Sequence, residues 1–338
     1  MHVETIEASS ELHRSMEHGT VQVNLLEQGL ASLQFPFLAG KNNEELSDVV
    51  WRSRAFLQRY RLLQNDALAS FDLPDIVRYA TLLYPIAEDT ALDIAVDAIT
   101  WSNVWRGEYQ RLCQTDAPAA NMVIWQLVDL TLHRVGIQPA DDAPPLVWAF
   151  ANLWKREAAG MSLSWQQRAA TNWRRWFLCF AGDNVLAELQ GETNLSTHLP
   201  DRHSTECAVL GDLIEGSLKY ELPRGAYESL EIEGLRDIQA DSMRWVSDIA
   251  AARAGNPPED NVVRAVQRQW GISPDQAISK VVSMHEKLMQ RWCGLRSRLP
   301  QLYVTLRLSE EARIHLQRYV IGIELLIAGH HAWYARAV

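Results

Sequence analysis

Cysteine is scarce in this chain. The four residues Cys113, Cys179, Cys207 and Cys293 stand far apart, with no CxxC pair and no Cys/His metal spacing. That excludes a disulfide scaffold and a zinc module, and it reads as four free thiols in an intracellular protein. Positive charge is also short. The 32 basic residues face 42 acidic ones, for a formal charge of -10. This excludes a nucleic-acid backbone or an anionic membrane as the main partner, and leaves a small anion only where basic side chains converge. The longest apolar run, "VIGIELLIAGHHAWYA", is interrupted by Glu324 and by His330-His331, and is too short and polar to span a bilayer. The first twenty residues are polar and lack a signal-peptide core. A soluble, cytoplasmic protein is the expectation. No strand-type alternation, internal repeat or low-complexity tract stands out. Nor is there a GxGxxG after a strand, a P-loop, an HExxH or a GxSxG, so the common nucleotide, zinc-protease and serine-hydrolase mechanisms are not supported.

What the chain has is helical periodicity. Segments such as "LSDVVWRSRAFLQRYRLLQ", "LVWAFANLWKREAAG" and "PDQAISKVVSMHEKLMQRWCGLRSRL" repeat apolar residues at threes and fours. Breakers such as "QPADDAPP", "ELPRG" and "GNPPEDN" separate them. The linkers are short, so an all-α fold is expected, with residues 31–338 as one domain and residues 1–30 as an N-terminal arm. Thirteen tryptophans accompany these helices. Core packing accounts for most of them; the sharper reading is a cavity walled by π-faces, which suits apolar ligands and cations.

One stripe stands apart. In "ALDIAVDAITWSNVWRGEYQRL" a helical face runs Leu92, Val96, Ile99, Asn103, Arg106, Gln110. It begins apolar and turns polar without leaving the face. Arg106 is then either paired with a nearby carboxylate, Glu108 or Asp97, or free to bind an anion by a two-pronged contact. Asp241 and Asp248, seven apart with Arg244 between them, read as a solvated charge pattern or as a residual acid or base. His330-His331 reads as a surface or helix-end pair, and "TNWRRWF" as a packed helix with one solvated edge.

Three segments together carry a resemblance: "YATLLYPIAEDTALDIAVDAITWSNVWRGEYQ", "LPDRHSTECAVLGDLIEGSLKYELP" and "ADSMRWVSDIAAARAGNPPEDNVVRAVQRQWGISPDQAISKV". In content and order they resemble the bacterial class I terpene synthases. The third is the most telling: a helix, a Pro/Asp/Asn turn, Asn261-Val262-Val263, then Gly271-Ile272-Ser273-Pro274-Asp275-Gln276-Ala277. The resemblance implies a single-domain class I terpenoid synthase-like helical bundle around a central apolar cavity. It implies an isoprenoid substrate and, as a partner, a second copy of the chain in a homodimer. It also implies Mg²⁺ held between an aspartate-rich helix and an Asn/Ser/Glu helix, where the ions bridge to a substrate diphosphate.

Both metal motifs are broken here. The aspartate-rich position falls on Arg106 to Gln110, where Arg106 and Gly107 replace the first two aspartates and Glu108 is the one carboxylate left. The second falls on Ser247, Asp248, Ala251 and Gly255; a shift by one residue gives Asp248, Ala252 and Asn256. No residue is assigned to a metal, and no cofactor is required unless the family's Mg²⁺ mechanism survives. By resemblance Arg202, 45 residues before Ser247, is the diphosphate-sensing arginine, and Glu206 stands near the family's substrate-facing glycine. The candidate catalytic residues are Arg106, Glu108 and Asp248. The candidate substrate-binding residues are Arg202, Trp101, Trp105, Asn103, Trp245 and Trp333. The expected function is a divergent terpene cyclase working through a carbocation without the Mg²⁺ trio, on a prenyl diphosphate or a preformed terpenoid. The alternative is a non-catalytic relative that binds an isoprenoid or a protein. An enzyme would keep an open pocket with converging polar groups; a non-catalytic relative would fill it.

Overall fold

A computed structural model describes residues 30–40, 45–63, 66–180, 206–255 and 257–336. Among them the regular structure is helical, and strands are absent. The longer helices are α1 (Leu46–Arg59), α3 (Leu73–Leu83), α4 (Asp89–Thr115), α5 (Ala117–Leu132), α6 (Pro145–Glu157), α7 (Leu163–Phe180), α8 (Cys207–Leu218), α10 (Leu230–Arg253), α11 (Val262–Trp270), α12 (Pro274–Arg296) and α14 (Glu310–Ala335); α2 (Asp66–Ser70), α9 (Arg224–Tyr227) and α13 (Leu299–Thr305) are short. No helix of the described residues is long and apolar enough to cross a membrane.

The boundaries follow from local chemistry. Asp116 ends α4, and its carboxylate accepts the Ala119 N–H at 3.1 Å to open α5, with a proline in the first turn. The segment "NVVRAVQRQWGISPDQA" is a sequence of caps. Asn261 accepts from Val263 and Arg264 to start α11, and Gly271, at φ 61°, ends it in the left-handed region. Ser273 and Gln276 then form a reciprocal capping box at α12. Ala277 follows with no exposed surface.

The helices surround α8. It packs against α4, α6, α7, α10 and α14, and every residue from Val209 to Gly216 is buried. Burying a helix on all sides also buries its polar groups, which then need partners. Asp212 accepts from Asn172 Nδ2 at 2.7 Å and lies 3.6 Å from Arg168 Nε. Glu215 accepts from Arg168 and, at 2.7 Å, from the Leu222 N–H. Arg168 and Arg236 in turn lie 3.8 and 3.7 Å from the centroid of the Tyr227 ring, so the phenol sits between two guanidinium groups.

An aromatic cluster fills the space between α4, α6 and α7. Trp101, Phe150, Trp173, Trp176 and Phe177 have ring centroids 5.0 to 6.2 Å apart. Trp101 donates to the Leu146 carbonyl at 3.0 Å. Burial raises the acids around this interior: Glu157, which accepts from Trp173 Nε1, rises to about 8, Glu215 and Asp97 rise to about 7, and Asp212 is also raised. At the other end α14 crosses α3 so closely that a Cβ at Gly329 would run into the Leu82 carbonyl. That approach lets Tyr79 of α3 reach His330 of α14, as described below.

Two predictions follow from this packing. Gly329→Ala forces α3 and α14 apart and is expected to cost about 1–3 kcal/mol, the range for overpacking a filled interior; urea denaturation with an unchanged midpoint would show that the crossing is loose. The buried acids also set a pH dependence. Their folded forms keep a proton that the unfolded chain has lost, so stability falls as pH rises toward about 8. Buried His330 and His285, lowered to about 4, act oppositely, but only below their ordinary 6.5. The melting temperature should therefore decline from pH 6.5 to 9, and Glu157→Gln should flatten that decline.

Candidate functional site

The polar half of the α4 stripe emerges at one end of the bundle. Leu92, Val96 and Ile99 are buried, while Asn103 and Arg106 are exposed. Asn103 donates its side-chain amide to the Ile99 carbonyl at 2.8 Å, closing on its own helix. Arg106 reaches across to the start of α8. Its Nη2 lies 2.8 Å from Glu206 Oε2, with the Arg106 side chain 47% exposed and that of Glu206 15%. The same guanidinium sits 5.8 Å from the centroid of the Trp176 ring. Of the two partners that local spacing offered for Arg106, Glu108 is held by Arg111 at 2.6 and 2.8 Å, and Asp97 by Arg156 at 2.8 Å. The real partner is one hundred residues away, beyond the reach of any local reading.

Beside this pair lies Tyr79, whose hydroxyl is 2.7 Å from His330 Nδ1. His330 Nε2 is 2.8 Å from the Met243 carbonyl and 3.0 Å from Ser247 Oγ. A carbonyl can only accept, so Nε2 carries the imidazole proton and Nδ1 accepts from Tyr79. Ser247 donates to the same Met243 carbonyl at 3.2 Å. Burial lowers His330 to about 4 and pushes the Tyr79 phenol well above its ordinary 10, with the negative Glu206 adding to the latter. Both groups are neutral at physiological pH. His330 therefore is no surface or helix-end residue: it is buried, and it joins α3, α10 and α14. Its burial was hard to foresee, because the preceding stretch of α14, Val320 to Gly329, has Glu324 as its one polar residue and so no polar side to orient it.

The remaining candidates fall elsewhere. Trp101 and Trp105 have no exposed surface and stack on each other, centroids 6.3 Å apart, inside the aromatic cluster. They are filling there rather than walls of an open cavity. Trp245 packs on the far side of α10, with its ring 6.4 Å from His285. Trp333 stands against Tyr79, 5.2 Å between centroids, and is the aromatic candidate that belongs to the Tyr79–His330 group. Asp248 is buried and accepts the Val262 N–H at 2.9 Å, with Arg244 at 3.5 Å. It anchors the N-terminus of α11 and is neither a solvated charge nor part of the Arg106 group. Arg202 and Asn256 lie outside the described residues. A cavity of about 500 Å³ opens between α7, α8, α9 and α10, and Arg168, Asn172, Arg175, Tyr227, Arg236 and Gln239 make its lining polar.

The two positions where the resemblance places metal ligands present a guanidinium, Gly107 and Gln110 on α4, and Ser247 and Ala251 on α10 with Gly255 just beyond its end. Ser247 spends its proton on Met243, and Asp248 is engaged by α11. Mg²⁺ wants hard oxygen donors, with carboxylates among them. Among the described residues no three His, Cys, Asp or Glu side chains are grouped to hold a metal. These donors do not fit a carboxylate-held Mg²⁺ trio.

The same helical architecture occurs in an a-eudesmol synthase, whose crystal structure superposes with a TM-score of 0.75 at 22% identity, covering 94% of this chain and all of that one. A pentalenene synthase of Streptomyces arenae is 25% identical over 310 residues, 88% of this chain and 89% of its own. The (-)-beta-caryophyllene synthase of Saccharothrix espanaensis, described as cyclizing (2E,6E)-farnesyl diphosphate, is 26% identical over 290 residues, 84% of this chain and 82% of its own. The model of terpene synthase family 2, C-terminal metal binding, matches residues 97–291. The chain belongs to this family of terpene cyclases.

The Arg106–Glu206 contact can be weighed directly. With one partner half exposed, a double-mutant cycle of Arg106→Ala and Glu206→Ala should return a coupling of about 0.2–1 kcal/mol in urea denaturation. A coupling several times larger would make the pair a strut of the fold rather than a feature of the site.

Proposed function

We propose that the protein is a terpene cyclase that carries an isoprenoid through a carbocation without a carboxylate-held Mg²⁺ trio. Family membership supports the reaction class. Its relatives bear the names of cyclases, one of them for farnesyl diphosphate. The observation that carries the metal-free part is the Arg106–Glu206 pair. It puts a fixed cation and its counterion where the family pattern has an ion-binding aspartate and a substrate-facing glycine. Trp333, beside Tyr79, offers a π-face that stabilises a developing cation. The substrate is a prenyl diphosphate or a preformed terpenoid.

A second reading, a non-catalytic isoprenoid-binding relative, draws on a different observation. Helix α8 is buried along its length, and Trp101 and Trp105 are sealed in the core, so side chains fill the middle of the bundle.

Gas chromatography–mass spectrometry of products separates the two. Purified protein is offered geranyl, farnesyl and geranylgeranyl diphosphate and the matching alcohols, each with Mg²⁺ and again with EDTA. Product in EDTA, reduced at least tenfold by Arg106→Ala, is the expected result, since removing a preorganised charge from a reacting site costs powers of ten in rate. Product with Mg²⁺ alone would end the metal-free reading. No product from any substrate would leave the binding reading.

A further inference from the structure

We infer that the cavity between α7, α8, α9 and α10 is a binding site for a diphosphate anion, met by the guanidinium groups of Arg236 and Arg175, apart from the helix positions where the family's pattern places its metals. The choice of diphosphate rests on the cyclase reading above, in which a prenyl diphosphate gives up that anion. The need for an anion rests on the cavity alone.

The argument is one of unbalanced charge. Four arginines, Arg168, Arg175, Arg224 and Arg236, line about 500 Å³ of open space. Two of them are already answered. Arg168 meets Glu215 and lies 3.6 Å from Asp212, and Arg224 Nε lies 2.8 Å from Glu228 Oε1. The other two are not. Arg236 is half-buried, donates to the Tyr227 carbonyl at 2.9 Å and stacks on the Tyr227 ring, and no carboxylate among the described residues pairs with it. Arg175 is exposed at the rim, and no carboxylate among the described residues pairs with it either. A guanidinium keeps its charge at physiological pH. Holding one away from water without a counterion is costly, and withdrawal from water is the largest influence on Arg236 and acts against its charge. The lining acids Glu233 and Asp237 share a helix with Arg236 but form no ion pair with it; Asp237, the next residue, is turned about 100° away around α10.

The two uncompensated cations come from opposite walls, Arg236 from α10 and Arg175 from α7. Arg168 and Arg236 flank one phenol, that of Tyr227, at 3.8 and 3.7 Å from its centroid. Arg175 lies two turns beyond Arg168 on the same face of α7, about 10 Å along the axis. Positive charge is therefore spread along the cavity, which suits an anion with two phosphoryl groups better than one with a single charge. Guanidinium forks meet phosphate oxygens through paired N–H bonds. The inner amides Asn172 and Gln239 are spent on Asp212 and on the Cys207 carbonyl, so the arginines are the groups left to answer a ligand's charge. A farnesyl chain would find a lining of arginines, amides and carboxylates. The fit is to the free anion rather than to the head group of a substrate.

Isothermal titration calorimetry of the full-length protein with inorganic diphosphate, in EDTA so that no metal recruits the anion elsewhere, tests this without a reaction. The wild type is expected to bind it. Arg236→Gln should weaken binding about tenfold and Arg175→Gln about fivefold, as loss of a charge-assisted hydrogen bond does. Arg54→Gln removes an exposed charge from α1 and should move binding by less than about twofold. Arg236 also tethers Tyr227, so should Arg236→Gln fail to fold by circular dichroism, the exposed Arg175 carries the test. A farnesyl S-thiolodiphosphate, which resists ionisation, separates the two sources of the anion. Weaker binding than diphosphate marks the free anion as the ligand; equal binding with the same dependence on Arg175 marks a substrate head group, and both keep the site. No binding in EDTA overturns the inference. So does diphosphate binding that Arg175→Gln leaves unchanged, above all if Arg106→Gln removes it, which would put the anion at the end of α4. The cyclase reading is judged separately. An active enzyme that binds no diphosphate here loses the site and keeps the reaction, and an inactive protein that binds it keeps the site and loses the reaction.

Discussion

The contact on which the arrangement turns is the one between Arg168 of α7 and the two carboxylates of α8, Asp212 and Glu215. A helix enclosed by five others carries its charges inward with it, and an unpaired buried carboxylate would cost more than the apolar packing around it returns. Arg168 meets both acids, Asn172 takes the remaining edge of Asp212, and the Leu222 N–H takes that of Glu215. Burial still raises both acids. The cluster fixes which way α8 faces, and so where its first turn, with Glu206, comes to lie. The pairing at the site is set at one end of α8 by a pairing at the other.

Much of the fold could be read from the residues, because helices announce themselves locally. The caps at Asp116, Asn261, Gly271 and Ser273 are short-range chemistry, each within four residues of the group it satisfies. They also explain why "NVVRAVQRQWGISPDQA" was a dependable sign of kinship. The form of that segment is set by the geometry of stopping one helix and starting the next, and it says nothing of catalysis. The site was less legible. The alternation from Ile99 to Arg106 correctly marked where α4 leaves the core, but the choice of Arg106's partner depended on how α8 docks. Asp248 read as a solvated charge pattern or a residual acid or base because its backbone partner, the Val262 N–H, depends on α11 folding back on α10, while Arg244 is a partner within its own helix. His330 could not be oriented from the apolar stretch Val320 to Gly329 that precedes it on α14.

Tryptophan makes the same point from the other side. Composition could not distinguish a lined cavity from a packed core, and the bundle places its tryptophans both in the packed interior and at its polar end. Trp101 and Trp105 are stacked in the interior, and Trp173 meets Trp101 edge to face there. Trp176 spans the boundary, with its ring against Trp173 and beneath Arg106. Trp333 stands at the polar end with Tyr79. What separates them is the direction of a helix face, which depends on the docking angle and not on residue type.

The loss of both metal motifs is coherent when the replacements are taken together. Had Arg106 alone replaced an aspartate, a free guanidinium would remain to gather phosphate. Had Glu206 alone replaced a glycine, a buried carboxylate would lack a cation. Each substitution removes the electrostatic fault that the other creates, and the pair forms between the very segments that the family's pattern joins through metal and diphosphate. Ser247 fits the same account: shorter than the asparagine of the family pattern, it closes onto Met243 and His330 instead of reaching outward. The pair thus balances its charges between α4 and the start of α8, across one hundred residues of sequence.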